Sequence, residues 1–138
     1  MPFIINDQPP GVLDLRLLLW YILTMANLSP QEFQTAFFDQ HPLAESIISL
    51  FDSLPQTYFY AKDRDSRFVR VNQLFLENHG LGQESEALGK TDRDFHPPLM
   101  AEAYIEEDRR VMEGRKTIPG QMWLVLHRRR VPRWYVST

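Results

Sequence analysis

Apolar residues recur with two different spacings along this chain, and the change falls near Thr57. Before it, the pattern is helical. Leu13 to Asn27 favours a helix that is apolar around much of its circumference. "SPQE" at 29–32 is a start signal: Ser29 caps, Pro30 fits the first turn and Glu32 closes a capping box. The helix that follows presents Phe33, Phe37 and Phe38 on one side. A third helical piece begins near Pro42, carries Leu43, Ile47, Leu50 and Leu54 at helical spacing, and ends at Pro55.

After Thr57 the segments shorten. "TYFYAKD" and "RFVRVN" are aromatic and β-branched and are separated by the turn-like Asp63–Ser66, which predicts a hairpin. Asn72 is placed to cap a helix running through Leu74, Phe75 and Leu76 toward Gly80. "GLGQESEALGK" is broken by glycines, with room for a short helical piece between Gln83 and Leu88. A longer helix runs from Pro98 to Met112 and is stopped by Gly114. "QMWLVLH" and "RWYVST" read as two strands joined by a basic turn. Segregated strand pairs among helices predict an α+β fold with an antiparallel sheet. The sequence stops at Thr138 still in strand character, which leaves a sheet edge to be covered; truncation of a longer protein is the expected reason.

Composition narrows the function more than the fold. With 138 residues there is room for one core-forming domain. A formal charge of -3 gives no global attraction for nucleic acid, and the one basic run, His127 to Arg130, fits a solvated hairpin loop. There is no cysteine, hence no disulfide, thiolate ligand or thiol nucleophile, and the expected compartment is a reducing one, the cytoplasm. The apolar run Leu15 to Met25 is interrupted by Arg16 and falls short of the ~20 apolar residues a bilayer span needs, so no membrane insertion is expected.

Candidate chemistry is sparse. "GKTDRDF" at 89–95 places Asp92 and Asp94 two apart, a spacing that diverges in a strand and turns about 200° on a helix. Neither geometry makes a shared-proton pair, and the other oxygen ligands of a calcium loop are missing. The expected role is local: Thr91 or Asp92 caps a helical turn, Asp94 holds backbone N–H groups, and Phe95 anchors the turn. His79 and His96 have no second ligand at helical spacing and read as helix-end and loop residues, so no metal site is expected. In the long helix Met100, Tyr104, Val111 and Met112 form an apolar stripe that contains Asp108, for which a hydrogen bond or salt bridge to an arginine is expected. Glu106 pairs with Arg109 or Arg110 on the surface. Tyr58, Phe59, Tyr60, Trp123, Trp134 and Tyr135 are enough to line a small-molecule pocket, and equally enough to be core.

"YFYAKDRDSRFVRVNQLFLENHG", then "LGKTDRDF", "EDRRVMEG" and "RWYVST", resemble in order the PAS sensor domain, most of all the variety beside bacterial two-component kinases, diguanylate cyclases and helix-turn-helix regulators. The resemblance covers about residues 44–138. It implies a PAS-like antiparallel sheet with flanking short helices and one long helix, with strands near 57–62 and 67–71. Asn72 and Phe75 match the residues that tie the first helix onto the sheet; Gly89, Thr91, Asp92 and Phe95 match the stretch before the long helix; Glu107 and Asp108 match its acidic pair, and Trp134 falls in the fourth strand. The family has five strands, so the last is expected to be missing, its place taken by the N-terminal segment, a swapped strand or nothing. The cysteine adduct of flavin photosensors is excluded, and no histidine lies between Pro98 and Met112 for haem. The cofactor is left unnamed, with non-covalent flavin and small organic ligands both open.

The organisation expected is thus a helical extension over 1–42, a dimerisation cap, followed by a C-terminally truncated PAS-like domain over 43–138. From pattern and resemblance together, Tyr58, Tyr60, Phe75, Tyr104, Asp108, Trp123 and Trp134 are the candidate ligand-facing residues. The expected function is a non-catalytic sensory module, a homodimer governing an output domain outside this chain. The alternative is a structural dimerisation domain without ligand.

Overall fold

In the computed structural model, which describes residues 2–4, 27–54, 57–114, 122–126 and 132–136, the Ser29 capping box starts the first described helix. Ser29 N–H donates to the Glu32 carboxylate at 2.8 Å, and the Ser29 hydroxyl accepts from Glu32 N–H at 3.3 Å. Helix α1 (Pro30–Gln40) follows, and helix α2 (Pro42–Ile48) starts immediately on the next proline. The helix expected to reach Pro55 tightens instead into a 3₁₀ turn over Ser49–Ser53. Leu54, which precedes the proline, is extended (φ -90°, ψ 108°), as the proline ring demands of its neighbour. The helix expected over Leu13–Asn27 lies outside the described residues except for Asn27, as does the basic turn at 127–130.

Three strands form one sheet in the order β1 (Pro2–Ile4), β2 (Tyr60–Lys62), β3 (Phe68–Val71). The β2–β3 pair is antiparallel, with Tyr60 opposite Val71 and a register shift between Ala61 and Lys62. The N-terminal segment therefore takes the other edge of β2, and it runs parallel to that strand. Parallel neighbours need a long crossover, and helices α1 and α2 lie within it. Strands β4 (Met122–Leu126) and β5 (Pro132–Val136) pair antiparallel as a separate ribbon.

Strand β2 is covered on both faces, and its alternation sorts the core in two. Phe59 and Ala61 point to one side, where Phe33 and Phe38 of α1, Ile48 of α2, Val69 and Leu88 close around them. Phe51 stacks on Phe59 with ring centroids 4.4 Å apart, and Gln34 Nε2 donates to the Val69 carbonyl at 2.9 Å. Tyr58 and Tyr60 point to the opposite side, against Phe68, Val71, Phe75, Leu76 and Ala87. The α1 phenylalanines thus face the chain's own sheet.

Strand pairing stops short of the expected position 57 because a side chain takes over the work of the ladder. Asn72 Oδ1 accepts from the N–H groups of Phe59 and Phe75, both at 3.2 Å, and its Nδ2 donates to the Thr57 carbonyl at 2.6 Å. One residue thereby caps helix α3 (Gln73–His79) and fastens it to the strand before β2. Asn72→Ala strands two backbone donors and one acceptor. It is expected to cost about 2–3 kcal/mol, read as a drop in the urea midpoint at unchanged m-value.

Gly89 sits at φ +75°, a conformation that L side chains rarely adopt. That turn lets Gly89 N–H reach the Phe68 carbonyl at 2.9 Å while Phe68 N–H reaches the Lys90 carbonyl at 2.8 Å. The "GKTD" segment is thereby held beside β3, and the chain then enters helix α4 (Pro98–Gly114), whose last residue is the glycine expected to stop it.

Candidate functional site

Lys62 is fully buried (0% exposed), a position lysine almost never takes unpaired. Its alternation with Tyr58 and Tyr60 aims it at the aromatic side of the sheet. There its Nζ donates to Asp92 Oδ2 at 2.6 Å and to Asp108 Oδ2 at 2.7 Å. The Tyr60 and Phe68 rings lie 5.1 and 4.9 Å from the ammonium, close enough for a cation–π attraction.

The two aspartates of "GKTDRDF" divide the work. Asp94 stays outside and closes a capping box with Thr91, accepting from Thr91 N–H at 2.8 Å. Asp92 turns inward to Lys62. The local role expected for the pair holds for Asp94; Asp92 joins a long-range ion cluster. Asp108 has a lysine partner where an arginine was expected. Lys62 itself was not among the expected site residues. Its signal was present, a lysine on the strand face that already carries two tyrosines.

Charge in this interior is strained in a consistent direction. Burial pushes the Asp108 carboxyl up, against the pull of Lys62. Burial, reinforced by Asp108 and Asp92, puts the Tyr60 phenol well above its usual value. Glu107, the neighbour of Asp108, is raised to about 7 by burial and then by Asp108. A carboxyl raised in the fold binds more protons there than in the unfolded chain between roughly pH 4.5 and 7. Its contribution is therefore full at low pH and is lost as pH rises through that window. Glu107→Gln is expected to leave stability unchanged near pH 4 and to raise it by about 1 kcal/mol at pH 8, a figure kept small by solvent screening at this partly exposed group. Urea unfolding of both proteins across that range checks it.

Beside the ions runs a chain of rings. On the sheet, Tyr58 packs on Tyr60 (5.8 Å) and Phe75 (5.4 Å), and Tyr60 packs on Phe68 (5.6 Å). His79, the last residue of α3, lies 4.3 Å from Phe75 and 5.1 Å from His96 between ring centroids, and His96 lies 5.0 Å from Tyr104 of α4. These offset and edge-on contacts are the arrangement aromatic quadrupoles favour. His79 Nε2 is 2.8 Å from the Tyr58 hydroxyl, where a helix-end role had been expected. Burial lowers His79 to about 4, helped by His96, and burial lowers His96 as well, so both rings are uncharged at neutral pH.

Of the expected ligand-facing residues, Tyr58, Tyr60, Phe75, Tyr104 and Asp108 come together in this one cluster, and Phe95 joins it against Phe75 and His79. Trp123 and Trp134 are placed by backbone register alone, opposite Tyr135 and Leu124 respectively. Glu106 meets Arg109 and Arg110 on the exposed side of α4, as expected. Among the described residues no three histidine, aspartate or glutamate groups gather around one point as metal ligands. None of their helices is long and apolar enough to cross a membrane.

An antiparallel hairpin, a capped helix tied to its first strand, short 3₁₀ connectors and one long helix carrying an inward acid define an α+β domain. The family model for the PAS fold matches residues 51–138, and the chain belongs to that family. No curated protein and no solved structure gives a significant match.

Proposed function

We propose that this chain is a non-catalytic sensory module of the kind that regulates bacterial kinases, cyclases or transcription factors, and that the aromatic–histidine cluster is where it takes its signal. One observation carries the reading. Two polar contacts, Tyr58 hydroxyl with His79 of α3 and Lys62 of β2 with Asp108 of α4, border one aromatic cluster in which Tyr104 of α4 packs on His96. A ligand that binds there with different affinity in two arrangements of α4 shifts the balance between them, which is all a sensor requires. What supports a non-catalytic role is that Lys62, the buried cation of this interior, is held by both aspartates.

The module is proposed to work as a cytoplasmic homodimer. Leu43, Ile47, Leu50 and Leu54 are 79%, 47%, 67% and 47% exposed and follow one another at spacings of four, three and four along α2 and its 3₁₀ extension. Leu43 and Ile47 on α2, Leu50 on the 3₁₀ turn and Leu54 at its extended end together offer an exposed apolar surface for a second copy. The second reading, a dimerisation domain with no ligand, is favoured by the closeness of the ring packing in the cluster.

Native mass spectrometry of protein purified from its host, with an absorption spectrum of the same sample, separates the two. An added mass per chain is the expected result. A bare homodimer hands the case to the dimerisation reading. A clean monomer by light scattering at high micromolar concentration sinks the dimer in both.

A further inference from the structure

The sequence offers His79 and His96 no second ligand nearby in the chain, but the fold brings each to the other. We propose that the two imidazoles chelate one divalent transition-metal ion, and that this ion is the class of ligand the cluster senses. The inference rests on the reading of this cluster as the sensing site.

The spacing of the two rings fits the task once His79 Nε2 exchanges its contact with the Tyr58 hydroxyl for the ion. Two imidazoles that share a tetrahedral ion, each with its nitrogen about 2.0–2.1 Å from the metal, have ring centroids about 5 Å apart. The observed separation is 5.1 Å, with the ring planes at 79°. The Tyr58 hydroxyl stands 2.8 Å from His79 Nε2, near enough to donate a third ligand atom or to hold a water on the ion. The Tyr104 ring lies against His96 from the other side.

The surroundings favour a cation. Asp92 and Asp108 face Lys62, two negative charges against one positive, which leaves a formal excess of one negative charge beside the histidines. Lys62, which acts on His96, is held by both aspartates. Both histidines are only partly buried, so an ion reaches them without unfolding the domain.

The site is also incomplete in a useful way. Structural ions are closed in by four protein ligands, whereas no three such groups gather among the described residues. A two-imidazole chelate with water in its open positions releases its ion readily, as a sensor must. Imidazole ligation in a chain without thiolates suits Cu²⁺ and Zn²⁺, with Cu²⁺ the tighter of the two. The ligands also come from different places, the end of α3 and the turn just before α4. An ion that bridges them staples α3 to the start of α4, which gives the bound and free states different packing.

The test is a Cu²⁺ titration of the full chain, followed by electron paramagnetic resonance. The expected result is one Cu²⁺ per chain with hyperfine splitting from two nitrogens. His79→Gln and His96→Gln each weaken binding by at least the ~10–100-fold that even an outer-shell partner is worth, while His41→Gln changes nothing. A single-nitrogen spectrum, or unchanged affinity in both variants, overturns the site. If His79→Gln fails to fold by circular dichroism, the wild-type spectrum and His96→Gln decide alone. Hydrogen exchange in α4 separates this inference from the sensing reading. Two-nitrogen Cu²⁺ binding with no change in α4 leaves an ion site and removes it as the sensed ligand. Exchange in α4 that answers an organic ligand, with no Cu²⁺ bound, keeps the sensor and removes the ion.

Discussion

Lys62→Met is expected to lower the unfolding free energy by about 3–5 kcal/mol, because it leaves Asp92 and Asp108 buried side by side with no cation. A domain of this size has only about 5–15 kcal/mol in hand, so the variant sits near the edge of folding at neutral pH. The loss has a pH signature. Without Lys62 the Asp108 carboxyl is raised further above its unfolded value, so its favourable contribution is confined to low pH and disappears as pH rises. The variant should therefore recover toward wild type on acidification from pH 7 to 4. A methionine whose only fault was poor fit would show no such recovery. Replacing all three charges with apolar residues of similar volume should restore most of the stability, since a buried ion cluster specifies an arrangement more than it stabilises one. If Lys62→Met unfolds at the wild-type urea concentration, the cluster is not the organiser of this interior.

Phe38→Ala carries the second large effect, a loss of about 3–5 kcal/mol from a ring that is 6% exposed and packed in the cluster around Phe59, Ala61 and Val69. The contrasting variant is Leu50→Glu on the exposed apolar surface, expected to change the chain's own stability by less than about 0.5 kcal/mol while dissociating the proposed dimer. Urea denaturation and light scattering on both proteins separate the two roles that α1 and α2 play. If Phe38→Ala leaves stability intact but breaks the dimer, the phenylalanine face is an interface after all. A chain cut at position 42 should behave as Phe38→Ala does, only worse, because it removes Phe33 as well.

How far the sequence reached differs from element to element, and the reasons are physical. The Ser29 capping box, the Asn72 cap and the Thr91–Asp94 box were all legible because each is closed within about four residues. The alternation of Tyr58 and Tyr60 against Phe59 and Ala61 was legible as a strand. That Phe33 and Phe38 cover one face of that strand was not, since an apolar helix face is the same whether it meets its own sheet or a second copy. The parallel pairing of Pro2–Ile4 with β2 was out of reach for the same reason: three residues carry no periodicity and name no partner.

For the candidate site the division is sharper. Local grammar gave Asp94 the backbone N–H of Thr91 that it holds, and it left the cap open between Thr91 and Asp92, of which Thr91 takes it. Only the tertiary structure turned Asp92 inward, toward a lysine 30 positions earlier in the chain, and Asp108 toward that same lysine from 46 positions away. His79 and His96 became neighbours in the same manner, one from a helix end and one from a turn. What the sequence determined by itself was what period and capping set: the described helices that begin near Ser29, Pro42, Asn72 and Pro97, the hairpin of β2 and β3, and their order. What only the fold decided was which charged and aromatic groups meet. A contact between distant residues depends on the summed geometry of every element between them, and no local pattern encodes that sum.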